Sequence, residues 1–462
     1  MVIIVAFFSV IHPFGLLALL AAGALIALLK LKPHFALFLS FLSLLDFLSM
    51  TNPNFLSIPG LFKLKDILFF AMFIPLFMNM TDKKDAQFKS PLYTAILLML
   101  PLFTMEALYT VLVENQRLNL VISDGRRYLY YLIFFQTIYI LRSRGHVRTY
   151  IRLLIGAGLT FSVLVILQNH FGQSVHIFLA PTKIESQTLS QVHVTRSYVT
   201  GTALANFLSY VCFFRALTQK KLFLVNLTLF LLIFVGGVVL SYTRALWIGN
   251  VVGCITGLIV FKRYVNFKRL VQLLAVFALM LCIALPAKAL ISNDATDRHD
   301  QKDFLVAHMT SAIDELMKGS GNFGYRLRDS AARIQYIKQH PIFGAGFIHA
   351  NSEKNKTLST WREGFATGDS GIITLLMNYG LIGLIWLVFF ISSFIRECLR
   401  TIRVAEQEFR PVIIAAFSFI ICSTVSFITL GDFVFTEGIV VLATASAMIL
   451  ISRKFSQREC YA

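Results

Sequence analysis

Long apolar stretches recur along almost the whole of this 462-residue chain. They fall near 3–29, 33–50, 64–80, 92–113, 128–141, 150–168, 199–217, 222–240, 245–261, 270–291, 370–394, 411–430 and 438–452. A membrane helix needs about 20 consecutive, mostly apolar residues. A soluble helical protein would need polar faces between its apolar ones, and these runs offer none. Only 14% of residues are charged and 57% are hydrophobic, against roughly 25% and 45–50% in an average soluble domain. The expected fold class is an all-α polytopic membrane protein of about 12–13 transmembrane helices, with one large extracytoplasmic loop containing an amphipathic helix. The N-terminal run, Met1 to Leu29, has no basic start and no cleavage pattern, so it reads as a retained span.

The formal charge of +18 could suggest a nucleic-acid partner, but its placement speaks against one. Basic residues cluster between alternate apolar runs: Lys30/Lys32, Lys83/Lys84/Lys89, Arg142/Arg144/Arg148/Arg152, Arg215/Lys220/Lys221, Lys262/Arg263/Lys268/Arg269, Arg396/Arg400/Arg403/Arg410 and Arg453/Lys454/Arg458. Short loops rich in Lys and Arg stay in the cytoplasm, so the charge is a topology signal. The long segment from Asp294 to Asp369 carries ten Lys/Arg and ten Asp/Glu, a net of zero. The six cysteines lie in apolar runs, basic loops or the tail, with no disulfide framework or zinc spacing. Three regions follow: a helix bundle over 1–291, the large external loop over 292–369, and the last helices with a short cytoplasmic tail over 370–462.

The long loop has internal order. Tyr325 to Gln339 reads as an amphipathic helix, with Leu327, Ile334 and Ile337 on its apolar face. Pro341 and Gly344 stop it. The loop closes on Thr367-Gly368-Asp369-Ser370-Gly371, where the next apolar run begins.

Arginines near the membrane carry the chemical signal. Arg244 stands between two apolar runs with almost no loop, in Ser241-Tyr242-Thr243-Arg244-Ala245-Leu246-Trp247. A cation held there faces a cavity or a partner, or else snorkels to the interface beside Trp247. Arg196 sits where the polar stretch 169–198 meets a span, and Arg326 lies on the loop helix. Guanidinium groups stay charged and grip phosphate oxygens with two hydrogen bonds at once. Together the three fit a diphosphate, with Arg328 the substitute for Arg326 if the helix phase differs. Arg117, Arg126 and Arg127 beside Tyr128, Tyr130 and Tyr131 read as an interfacial belt, and Asp432 and Glu437 as a solvated loop.

With these motifs in view, the chain resembles the bacterial O-antigen polymerase and ligase superfamily. The likeness rests on the Ser241–Trp247 segment, on Arg326 fifteen positions before Pro341, and on His340-Pro341-Ile342-Phe343-Gly344-Ala345-Gly346. It extends through Asp369-Ser370-Gly371 to Tyr379-Gly380-Leu381-Ile382-Gly383-Leu384, and backwards to Arg196, Gly201 and Asn206. The resemblance implies transfer of a glycan from undecaprenyl diphosphate to an acceptor hydroxyl, outside the cytoplasm and at the plasma membrane. It implies no cofactor, no metal and no nucleic acid, and makes a chain-length regulator a candidate partner. Arg244 and Arg196, then Arg326 or Arg328, would stabilise the departing diphosphate. Asp369 stands where ligase members carry a histidine, and is expected to accept the hydroxyl proton; it could instead be only a helix cap. His349 is the rival base. The aspartate favours a polymerase over a ligase. A transporter or flippase is the alternative from another class, but no half-to-half similarity supports it.

Overall fold

The computed structural model describes residues 23–24, 27–28, 30–47, 64–73, 90–171, 201–219, 222–273, 275, 330–331, 333–348 and 370–459, and the backbone of 184–189 and 192–197. The architecture is all-α and polytopic, with one small hairpin. In chain order the elements begin with α1 (Pro33–Leu44), α2 (Leu64–Ala71), α3 (Pro91–Leu97) and α4 (Met99–Leu112). Then come α5 (Leu118–Leu129), a 3-10 turn over Tyr130–Leu132, α6 (Ile133–Ile140) and α7 (Arg144–Phe171). Strands β1 (Ile184–Leu189) and β2 (Val192–Ser197) pair antiparallel. After them lie α8 (Thr202–Thr218), α9 (Phe223–Gly237) and α10 (Arg244–Val260). A short helix over 333–339 precedes α11 (Gly371–Val404), α12 (Arg410–Ser426) and α13 (Thr436–Glu459).

Among the described residues, five helices are long and apolar enough to cross a membrane: Pro91–Leu112, Arg144–Phe171, Phe223–Ser241, Gly371–Val404 and Thr436–Ser456. Shorter apolar helices (α1, α8, α10, α12) accompany them. The first span starts cleanly because Ser90 accepts a hydrogen bond from Tyr93 N at 3.2 Å and Pro91 occupies the first turn. It is interrupted at Leu98, where Pro101 cannot donate to the carbonyl four residues back. Residues 118–129, read from sequence mostly as loop, form α5 instead. It buries Val121, Gly125 and Tyr128 at helical spacing and keeps Leu118 exposed. Nor is the apolar run 128–141 a single span, because it passes through the 3-10 turn before the short α6.

α12 and α13 form the centre, buried on nearly all sides. The outer helices are turned inside out, as lipid demands. On α10, Ile248, Val251, Ile255 and Ile259 are exposed, while Gly249, Gly253 and Gly257 face α12. A Cβ on Gly249 would lie 2.8 Å from Cys422 O, and one on Gly253 2.5 Å from Ser418 O. Small residues every fourth position let two backbones approach where water supplies no driving force. The order of these contacts makes α10 and α12 antiparallel, so the Arg244 end of α10 lies level with the C-terminal end of α12.

The basic clusters scattered along the sequence converge at the opposite end. Arg144 pairs with Glu406 at 2.8 Å, and Arg148 grips Glu408 with two guanidinium nitrogens. Glu397, fully buried, meets Arg453 at 3.0 Å and Arg400 at 3.5 Å. Arg410 lies over the Tyr264 ring at 5.1 Å, Arg269 donates to Gln219 O, and the rings of His34 and His146 are 5.0 Å apart.

Candidate functional site

Arg244 is presented by a tight turn built from its own neighbours. α9 ends at Gly236 and Gly237, whose missing side chains admit the backbone of Ser162 and the methyl group of Ala205. A 3-10 turn over Val239–Ser241 follows, then Tyr242 in the left-handed region at φ 50° and Thr243 extended. Ser241 Oγ donates to Val238 O at 2.7 Å, Thr243 Oγ1 to Ser241 O at 3.1 Å, and Trp247 Nε1 to Val238 O at 3.0 Å. Trp247 is therefore a clamp on the turn as well as an interface residue. Arg244 becomes the first residue of α10, half-buried, at the helix end whose dipole favours an anion.

The hairpin brings a second arginine to this turn. Strand β2 lies against the 3-10 turn and against α7, and the register pairs Arg196 with Glu185. The Arg196 strand and the Arg244 turn, 48 positions apart in sequence (244 − 196), thus share one end of the bundle. Gly201 and Asn206, singled out with Arg196, have structural work. Gly201 caps α8 and packs on Phe161, and Asn206 Nδ2 donates to Cys422 Sγ at 3.4 Å on the α12 face that Gly249 touches.

The start of α11 reaches the same end. Ser370 Oγ donates to Ile428 O at 2.8 Å and Ile372 N to Phe427 O at 3.2 Å, so α11 begins against the turn that follows α12. Ser370 is the N-cap residue, and Asp369 precedes the cap. Asp369, His349, Arg326 and Arg328 all lie outside the described residues. In that α12–α13 turn, Asp432 accepts a hydrogen bond from Ser423 Oγ at 2.7 Å. Desolvation pushes its carboxyl up to about 6, partly opposed by that hydrogen bond. It is no simple solvated loop residue.

The segment His340–Phe347 is spliced into a break in α11. Gly380 adopts φ 57°, ψ −148°, a conformation that interrupts the helix and excludes a Cβ. The freed carbonyl of Met377 accepts from Ala345 N at 2.6 Å. The freed N–H groups of Leu381 and Ile382 donate to Pro341 O at 2.9 Å and Ile342 O at 3.3 Å. Three backbone groups freed at the break thereby gain partners, as irregular backbone at membrane depth requires. Gly344, at φ 76°, is required on the other side of the splice, since a Cβ there would lie 2.5 Å from Met377 O. Phe347 then anchors the segment, with its N–H on Thr110 Oγ1 at 3.1 Å and its ring 5.8 Å from Tyr128 and 5.5 Å from Tyr379.

The loop helix faces otherwise than its aliphatic residues suggest. Arg333 is only 2% exposed, Tyr336 and Ile337 pack against Ile348, Ile373 and Met377, and Ile334 points outward. The inward face is 333, 336, 337 and 340, which puts an arginine and a histidine inside. Sequence reasoning also passed over Glu106. It is fully buried in α4 with neither carboxylate oxygen hydrogen-bonded among the described residues, and it lies within electrostatic range of Tyr379 and Tyr109. An ionisable group at that depth was the available signal. Arg126 and Tyr130, by contrast, are structural: both bind the buried carboxylate of Asp66, Arg126 at 2.8 Å.

These features define a polytopic membrane protein with an arginine-bearing turn and the segment 340–347 spliced into α11. Residues 229–388 match the sequence model of the O-antigen ligase family. The matched stretch includes the Arg244 turn, the 340–347 splice and the break at Gly380, and leaves Arg196 outside. No curated protein matches the chain. Its function is of the lipid-linked glycan polymerase or ligase kind, a glycosyltransferase-like activity in a bilayer.

Proposed function

We propose that the protein is a polymerase that joins undecaprenyl-diphosphate-linked oligosaccharide repeat units on the outer face of a bacterial plasma membrane. The observation that carries this reading is the Arg244 turn, which holds a half-buried guanidinium at a helix start beside the Arg196 strand. In the proposed reaction the acceptor hydroxyl oxygen bonds to the anomeric carbon of the donor. The bond from that carbon to the lipid diphosphate breaks, and its electron pair leaves with the diphosphate. Arg244 and Arg196 take up the developing charge, helped by Arg326 or Arg328 from the loop. Asp369, one residue before the cap of α11, orients the acceptor hydroxyl and draws on its proton, with His349 as the alternative. The bundle over 1–291 and 370–462 would hold the loop 292–369 over the lipid-linked substrate, and a chain-length regulator is a candidate partner.

A ligase reading is favoured by the family match itself. The two separate on products. Purified protein given only lipid-linked repeat units yields a ladder of chain lengths if it is a polymerase. Transfer of one glycan to a different acceptor, with no ladder, identifies a ligase. No product in either assay, together with unchanged cellular glycan in an Arg244→Ala strain, would sink both.

A further inference from the structure

We propose that His340, held by Tyr109 and Glu114, is the group that finally receives the acceptor proton. The inference rests on the transfer reaction proposed above and adds a catalytic residue to it. His340 ends the short helix and opens the splice, fixed at both backbone groups: its N–H donates to Ile337 O at 3.0 Å and its carbonyl accepts from Gly344 N at 2.9 Å. Its ring stacks on Tyr336 with centroids 5.1 Å apart. Nδ1 lies 3.3 Å from Tyr109 Oη, and that hydroxyl donates to Glu114 Oε1 at 3.2 Å. The Glu114 carboxylate itself is 3.8 Å from Nδ1.

This arrangement selects a tautomer. A tyrosine hydroxyl that gives its proton to Glu114 offers His340 only lone pairs, so Nδ1 carries the ring proton and Nε2 is left as the base. The side chain is 31% exposed, against 10% for Glu114, so the imidazole has an open edge while its partner is sheltered. When an acceptor hydroxyl attacks, its proton passes to Nε2, and the resulting imidazolium is stabilised by Glu114 directly and through Tyr109. A base oriented by a third, buried group is the arrangement that hydroxyl activation needs. Tyr336 and Ile337 of the same helix pack against the cluster of Ala345, Ile348, Ile373 and Met377, the last two on α11. Asp369 then keeps the role of holding the hydroxyl. Among the described residues, the titratable and charged groups facing the ring are Tyr109 and Glu114 from the end of α4 and Tyr336 from its own helix, with Glu106 behind Tyr109.

The test is the rate of transfer by purified full-length protein with a lipid-linked repeat unit, with kcat and KM read separately. His340→Ala should lose about 100-fold in kcat at unchanged KM, while retaining its thermal stability in detergent. Glu114→Gln touches no substrate and should lower kcat about tenfold at unchanged KM, because the imidazolium formed during transfer loses its carboxylate partner. Arg244→Ala serves as the reference for the underlying reaction. If it is inactive while His340→Ala keeps the wild-type kcat, the His340 role is overturned and the transfer reaction stands. If Arg244→Ala is fully active, the transfer reading itself fails. Should His340→Ala misfold, an unchanged kcat in Glu114→Gln overturns the proposal by itself.

Discussion

The basic end of the bundle and the Arg244 turn set their arginines differently. At the basic end, guanidinium groups are matched to carboxylates of the same chain: Arg148 to Glu408, Arg144 to Glu406, Arg453 and Arg400 to Glu397. These ion pairs tie that end together across α7, α11, α13 and the loop before α12. At the other end, Arg244 is set on a helix start where the backbone adds further positive potential, in a turn hydrogen-bonded within itself. The first arrangement fixes topology, and the second is suited to receive an anion. Formal charge is the same in both, so the difference lies in what the local backbone does.

The largest expected effect tests the receiving end. Arg244→Lys keeps the charge but loses the fork, and should lower transfer about 100-fold with an unchanged elution profile on gel filtration. Next comes the splice. Gly380→Ala forces a Cβ against Ile342 O and should cost about 3 kcal/mol, read as a lower melting temperature in detergent. Gly253→Leu at the α10–α12 seam should cost about 1–3 kcal/mol by the same measurement. At the tying end the consequence is small: Arg148→Ala should cost less than about 1 kcal/mol, because its side chain is 49% exposed.

Asp432 sharpens the contrast through pH. Its carboxyl, ordinarily near 3.8, releases its proton at about 6 in the folded protein. Across that interval the folded chain binds more proton than the unfolded one, so this group's contribution to stability falls as pH rises from about 4 to about 6 and is level above. Asp432→Asn should flatten that slope in a melting-temperature series from pH 4 to pH 7.

Much of the scaffold is legible in the residues, because lipid imposes a coarse rule. Runs such as 150–168 and 370–394 have nothing else to become, and α7 and α11 stand there. The charge clusters announce their common end for the same reason. The amphipathic α5 hides because Arg126 and Arg127 beside tyrosines look like an interfacial loop, whereas Asp66, sixty positions earlier (126 − 66), is what holds Arg126. The break at Gly380 is not legible, since α11 also carries Gly371 and Gly383, and only the approach of Pro341 and Ile342 decides which one bends. The loop helix misleads through its aliphatic residues: Arg333 is buried and His340 half-buried, the latter beside Tyr109 of α4. The Arg196 strand and the Arg244 turn, which lie at one end of the bundle, are singled out in the sequence. Tyr109, Glu114 and Asp432 are not, because single polar residues at span ends gain meaning only from neighbours distant in sequence.

The most direct measurement is diphosphate binding itself. Purified protein would be titrated with undecaprenyl diphosphate in detergent, comparing wild type, Arg244→Lys and Arg148→Lys. The predicted result is at least about tenfold weaker binding for Arg244→Lys and unchanged binding for Arg148→Lys. Equal affinity in all three would contradict the assignment of the Arg244 turn as the anion-receiving end.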